Sequence, residues 1–148
     1  VGELVNEARP EHLLQQLALS EAEVAQLHGD EDERYCRLVG ASRVLKALRI
    51  GHTFAPELLT GFPAAAFLID AYDEKLYGGT GKTSNWNVAA EIAKTVNVFL
   101  AGGLSPDNLG EAVRAVQPYA VDVNSGVELY PGKKDKEKLQ ALRFALNR

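Results

Sequence analysis

The chain has 148 residues, 46% apolar and 24% charged, with a mean hydropathy of −0.15. That balance excludes a disordered or low-complexity segment and predicts one globular domain. The longest apolar run, residues 63–69, falls far short of the about 18 residues a membrane helix needs, so no membrane partner is expected. Sixteen Lys+Arg against 20 Asp+Glu give a net charge of −4 with no long block of either sign, which predicts no nucleic-acid partner. A single cysteine, Cys36, excludes an internal disulfide and fits a reducing compartment. The start carries no signal-peptide pattern, and a cytoplasmic location is expected. There is no Met, and Val1 opens directly on strand-like residues, which predicts that further residues precede it.

In chain order, the apolar runs Val1–Val5, Val24–Leu27, Val44–Ile50, Ala65–Ala71, Val98–Leu100 and Ala120–Val123 read as strands. Their starts lie about 20 residues apart, with one longer step of about 33 after the fourth, room for a strand, a short helix and two loops. Between them, Pro10–Leu19 places Leu13, Leu14 and Leu17 on one helical face. Asp32–Val39 is a shorter, charged helix, Ala55–Leu59 a single turn or two opened by Pro56, and Asn87–Thr95 a helix after Trp86. Ser105–Val116 carries the strongest start signal, with Ser105 as N-cap, Pro106 at the first position and then Asp107. Asp135–Leu146 repeats Leu139, Leu142 and Leu146 at helical spacing.

Strict βα alternation predicts a parallel sheet buried on both faces. Six units fit a doubly wound open sheet on length alone, because a (β/α)8 barrel needs eight units and about 200 residues. In both folds ligands meet the carboxyl ends of the strands. The fourth strand ends in Asp70 after a wholly apolar run; such a residue is either a loop-start cap or a general acid whose pKa is raised by apolar surroundings. Gly78-Gly79-Thr80-Gly81-Lys82-Thr83 invites a nucleotide P-loop reading, but that motif needs a glycine where Leu76 stands, so a mobile loop over a site is the preferred reading. Gly102-Gly103 before the helix start, and Asn124-Ser125-Gly126 after the adjacent last strand, together suggest a phosphate site.

Other positions carry weaker signals. His28 closes a strand and either faces the site or starts a loop. Asp122 inside an apolar strand calls for a partner or a ligand, and Lys46, also inside a strand, is the partner that requires no function. Cys36 reads as a buried helix-face residue, and no His/Cys/Asp/Glu spacing suggests a metal.

Taken together, Gln26-Leu27-His28-Gly29-Asp30-Glu31, Phe67–Asp70 leading to Gly78–Thr83, Leu100–Asn108, and Ala120–Glu128 with Pro131–Asp135 resemble the phosphoribosylanthranilate isomerase family, in order along the whole chain. Ser84 departs from the family's usual aromatic before Asn85-Trp86. The resemblance implies a (β/α)8 TIM barrel, with this chain a single domain, residues 1–148, that carries units three to eight; the motif order overrides the length argument for an open sheet. It also implies an Amadori rearrangement of N-(5-phosphoribosyl)anthranilate in tryptophan biosynthesis, on a phosphorylated small molecule and without cofactor or metal. Asp70 matches the family's general acid. Gly102, Gly103, Ser125 and Gly126 match its phosphate loops, His28 and Asp122 are near-site positions, and the loop containing Gly79 closes over the ribose. The family's general-base cysteine and its anthranilate-binding arginine belong to the first two units and have no counterpart here, and Cys36 does not match that cysteine. The chain alone is therefore expected to be inactive. The alternatives are a barrel fragment that binds only phosphate, or a related indole-glycerol-phosphate synthase, for which Lys46 alone is thin support.

Overall fold

The computed structural model describes residues 3–5, 9–48, 56–70 and 81–146, and of 3–5 and 81–85 the backbone alone. The chain divides into two compact units, Val1–Leu68 with Thr95–Asn97, and Ile69–Lys94 with Val98–Arg148.

In the first unit, β1 (Glu3–Val5), β2 (Ala25–Leu27) and β3 (Val44–Leu48) pair in parallel, with Glu3 opposite Ala25 and Ala25 opposite Val44. The start of β4 (Ala66–Asp70) follows β3 in the sheet order, and Ala65 donates its N–H to the Val44 carbonyl at 2.9 Å. Helix α1 (Pro10–Ser20) starts on a proline, whose missing N–H costs nothing at a helix start. It ends where Glu21 turns left-handed at φ 55° and donates to the Leu17 carbonyl. Helix α2 (Glu33–Val39) is capped by the Asp32 carboxylate, which accepts from the Tyr35 N–H at 2.8 Å, and is stopped by Gly40 at φ 102°. Leu13 and Leu17 of α1, Cys36 and Val39 of α2, and Ala25, Leu27 and Val44 of the strands form one buried cluster. Residues Pro56–Leu59 make a single 3₁₀ turn, and Phe62 and Phe67 meet edge to face at 5.8 Å.

In the second unit, β5 (Val98–Ala101) and β6 (Ala120–Val121) pair in parallel, Leu100 opposite Val121, and the end of β4 precedes β5 in the order. Helix α3 (Gly81–Ala93) packs on α4 (Leu109–Val116) and β5, and buries Ala89 and Ile92. Helix α4 buries Leu109, Ala112 and Val116, one face at helical spacing. After β6 come a 3₁₀ turn (Ser125–Val127), an antiparallel hairpin of β7 (Glu128–Tyr130) and β8 (Lys133–Lys134), and α5 (Lys136–Leu146). Among the described residues no helix is long and apolar enough to cross a membrane.

Several boundaries differ from the sequence reading. Helix α3 begins at Gly81 rather than Asn87, so Gly81 and Lys82 are helical and not part of a loop. Helix α4 begins at Leu109 rather than Ser105, because Asn108 draws residues 105–108 into a turn of their own. Helix α5 forms where the leucine spacing places it, with Asp135 accepting from the Glu137 and Lys138 N–H groups, yet none of its residues is buried. Its neighbours in the unit are α4 and the Ser125–Val127 turn, which leaves Leu139 and Phe144 exposed.

Candidate active site

The loops after β5 and β6 are fitted together through their backbones. Gly102 and Gly103 have φ of 86° and 60°, the left-handed region where a side chain is strained. Gly126 needs to be glycine for a different reason. A Cβ there would lie 2.9 Å from the Leu104 carbonyl carbon and 3.1 Å from Ser105 Cα, and nearer still to the Leu104 oxygen. The two glycine-bearing segments singled out in the sequence, Gly102–Gly103 and Ser125–Gly126, therefore flank one backbone-to-backbone contact.

Asn108 holds the first segment. Its Oδ1 accepts from the Ser105 N–H at 2.8 Å, and its Nδ2 donates to the Gly103 carbonyl at 2.9 Å. This corrects the expectation of a helix start capped by Ser105. The Ser105 N–H is taken, and the Asn108 and Leu109 N–H groups both reach the Ser105 carbonyl, at 3.3 and 3.0 Å. The sequence reading gave Asn108 no role; an Asn three residues beyond a Ser, in a stretch rich in turn residues, is the signal that points to it.

The segment after the hairpin holds the other. Lys134 Nζ donates to the Asn124 carbonyl at 2.9 Å, to Asn124 Oδ1, and to the Glu128 carboxylate at 3.0 Å. The Asp135 N–H donates to the Val127 carbonyl at 2.7 Å, and Lys138 Nζ to the Glu128 carbonyl at 2.8 Å. The Lys134 hydrogen bond holds the Glu128 carboxyl below the usual glutamate range.

Asp70 closes β4 after four buried residues, Ala66–Ile69, and its own side chain is exposed, not sunk in apolar surroundings as the strand pattern suggested. Asp122 is a second correction. The strand β6 ends at Val121, and the Asp122 N–H still reaches the Leu100 carbonyl at 2.8 Å while its side chain stands exposed, so it bears no burial cost. Lys46 does not pair with it: its ammonium meets Glu31 at 3.0 Å. Gly79 lies outside the described residues.

His28 belongs to the first unit and is half-buried, with its Nδ1 accepting from Gln26 Nε2 at 3.1 Å. Cys36 is fully buried, and burial pushes its thiol up to about 11. Among the described residues no cluster of His, Cys, Asp and Glu is disposed to hold a metal ion.

Consecutive parallel βα units with glycine-bearing loops at the carboxyl ends of their strands define a protein of the (β/α)8-barrel class, of which this chain carries six units. The family model for N-(5'-phosphoribosyl)anthranilate isomerase matches residues 1–143, and the chain belongs to that family. It is 45% identical over 141 residues to the N-(5'-phosphoribosyl)anthranilate isomerase of Trichlorobacter lovleyi, covering 95% of this chain and 68% of that one. The enzyme of the same name from Geobacter metallireducens is 49% identical over 118 residues, covering 80% of this chain and 58% of that one. Among solved structures, phosphoribosyl anthranilate isomerase from Thermotoga maritima superposes with a TM-score of 0.80 at 32% identity, covering 99% of this chain and 72% of the other. Another phosphoribosyl anthranilate isomerase structure, with a TM-score of 0.78 at 28% identity over 99% of this chain and 71% of that one, is a complex with reduced 1-(o-carboxyphenylamino)-1-deoxyribulose 5-phosphate. The chain spans 58% to 68% of the length of these two curated relatives.

Proposed function

We propose that this chain carries the acid and phosphate-binding part of a phosphoribosylanthranilate isomerase site, acting in tryptophan biosynthesis. The observation that supports it best is the close fit of Gly126 on Leu104, which sets the Gly102–Gly103 and Ser125–Gly126 loops beside each other. In this reading their backbone N–H groups hold the phosphate of N-(5-phosphoribosyl)anthranilate, and residues 1–148 form one domain equivalent to units three to eight of the barrel. Asp122 borders the substrate in this reading, and His28 and Gly79 are carried over from the family resemblance alone.

The chemistry needs an acid and a base, with no metal or cofactor. Asp70 donates a proton to the furanose ring oxygen, the C1–O bond breaks, and the anthranilate nitrogen's lone pair forms the C1=N bond of a protonated Schiff base. A base then removes the proton from C2, the electron pair moves toward nitrogen, and the resulting enolamine tautomerises to the ketone. Cys36 is not that base: it is sealed from solvent, and its thiol holds its proton until about pH 11. No residue of this sequence matches the family's base, so the 148-residue polypeptide by itself is without turnover and retains a phosphate grip.

Replacing Asp70 with Asn in an otherwise complete enzyme, one that also carries the family's base, tests the acid. Turnover is expected to drop by about 10²- to 10⁴-fold, the usual worth of a general acid, with substrate affinity within several-fold. Near-wild-type turnover would remove Asp70 from the mechanism. Measurable isomerisation by the polypeptide Val1–Arg148 would show that the base lies within it.

A further inference from the structure

Resting on the phosphate-loop reading, we propose that Lys134 is a positioning residue, an ammonium that locks the Asn124–Gly126 segment into the shape that receives a phosphate. Lys134 lies on β8, outside the loop it serves. Its side chain is 41% exposed, so its ammonium is not there to fill a core. Instead Nζ donates to two atoms of one residue, the Asn124 carbonyl at 2.9 Å and Asn124 Oδ1, and to the Glu128 carboxylate at 3.0 Å. These partners lie on either side of the Ser125–Val127 turn. The next residue, Asp135, donates its N–H to the Val127 carbonyl at 2.7 Å, and Lys138 reaches the Glu128 carbonyl at 2.8 Å. Residues 134–138 thus grip the turn at its entry, its end and just past its end.

The entry is the point that matters for a ligand. Asn124 has φ −113° and ψ −86°, outside the helical and extended wells, and the peptide that follows it carries the Ser125 N–H. Bonding the Asn124 carbonyl to Lys134 fixes the plane of that peptide, and so the direction of the Ser125 N–H. On the other side, the Gly126 backbone is pressed on Leu104. Without Lys134 the Asn124 carbonyl keeps only the longer hydrogen bond from the Val127 N–H at 3.3 Å, so the peptide is held less firmly and an anion would have more of it to order on binding.

The test is titration of inorganic phosphate into the protein, read at the Ser125 and Gly126 amides by NMR, with the melting temperature measured alongside and substrate KM and kcat measured in a complete isomerase that also carries the family's base. In the wild type, phosphate shifts both amides. Lys134→Met is expected to weaken phosphate about tenfold and to raise KM more than it lowers kcat, with melting unchanged within a few degrees. Asn124→Ala, which removes Oδ1 and keeps the carbonyl, is expected to give a smaller loss in the same direction and decides the matter if the Met variant does not fold. Wild-type phosphate affinity in a folded Lys134→Met variant, or in Asn124→Ala if that one alone folds, overturns the positioning role and leaves the phosphate loops standing. Wild-type amides indifferent to phosphate overturn the phosphate-loop reading itself, and the role of Lys134 with it.

Discussion

The Lys46 ammonium of β3 lies 3.0 Å from the Glu31 carboxylate, with the two side chains only 8% and 7% exposed. Lys46 also donates to the Gly29 carbonyl at 2.7 Å, and Glu31 accepts from the Gly29 N–H at 3.0 Å. Both peptide groups of Gly29, the residue after His28, are therefore held by one buried ion pair. Burying either charge alone is strongly unfavourable, and together they roughly offset that cost.

Removing one partner is expected to be far worse than removing both. Lys46→Met with Glu31 intact should cost about 3–5 kcal/mol, the usual penalty for stranding a buried charge. The double replacement Lys46→Met/Glu31→Leu should recover most of that loss. Urea unfolding of the three proteins measures it; equal costs for the single and double variants would mean that the pair is not buried in solution.

The Cys36 thiol should be inert in the folded protein. Its pKa is pushed up to about 11 from an ordinary 9.0, burial outweighing the opposite pull of Lys46. Between those values the unfolded chain has lost a proton that the folded chain keeps, so this group's contribution makes stability fall as pH rises from about 9 to about 11. An aromatic disulfide reagent at pH 8 should react only as denaturant opens the fold, and immediate labelling would contradict the burial.

Glu128 behaves in the opposite sense. Its carboxyl is held below the usual value of 4.5, first by the Lys134 hydrogen bond. The stabilisation it brings is complete above the ordinary glutamate value and is lost as pH falls through the lowered one. In Lys134→Met the Glu128 midpoint, followed by carboxyl-carbon NMR, should rise toward the ordinary value. An unmoved midpoint would show that the contact is not made in solution.

Glycine is required at 103 and at 126 on different grounds, and alanine separates them. At Gly103, φ is 60°, and a Cβ there costs about 1–2 kcal/mol in backbone strain. At Gly126 the strain is steric, since a Cβ would overlap the Leu104 carbonyl. Gly126→Ala is expected to weaken phosphate at least tenfold by driving the two loops apart. Tight phosphate binding by that variant would show that the loops separate without consequence.

What was legible in the sequence was the order of the elements and the positions of the glycines. Each of β2, β3, β4 and β5 lies within a residue or two of its apolar run, because a strand packed inside a parallel sheet is mostly apolar even where a Gln26 or a Lys46 interrupts it. Side-chain grips onto backbone were not legible. Asn108 overrides the Ser-Pro-Asp start signal because its amide meets a peptide N–H and a carbonyl at once, and such a bond has no periodicity to betray it. Lys134 and Glu31 were hidden for the same reason, being ordinary surface types whose partners are set by the turns around them. The leucine spacing of α5 named the helix correctly but not its burial, which depends on what lies beside it rather than on its own sequence. The run Ala120–Val123 suggests a buried Asp122, but the strand stops two residues short of its end, at Val121.

The fit of Gly126 on Leu104 also constrains how this segment can mutate. The atoms a new side chain would strike belong to the peptide of residue 104 and the Cα of residue 105, which every amino acid shares. Exchanging Leu104 for a smaller residue cannot make room. In a genetic selection that starts from an inactivating substitution at position 126, second-site suppressors should therefore be missing at 104. They should arise where the whole turn is able to shift, among residues 131–135, or appear as true reversion to glycine.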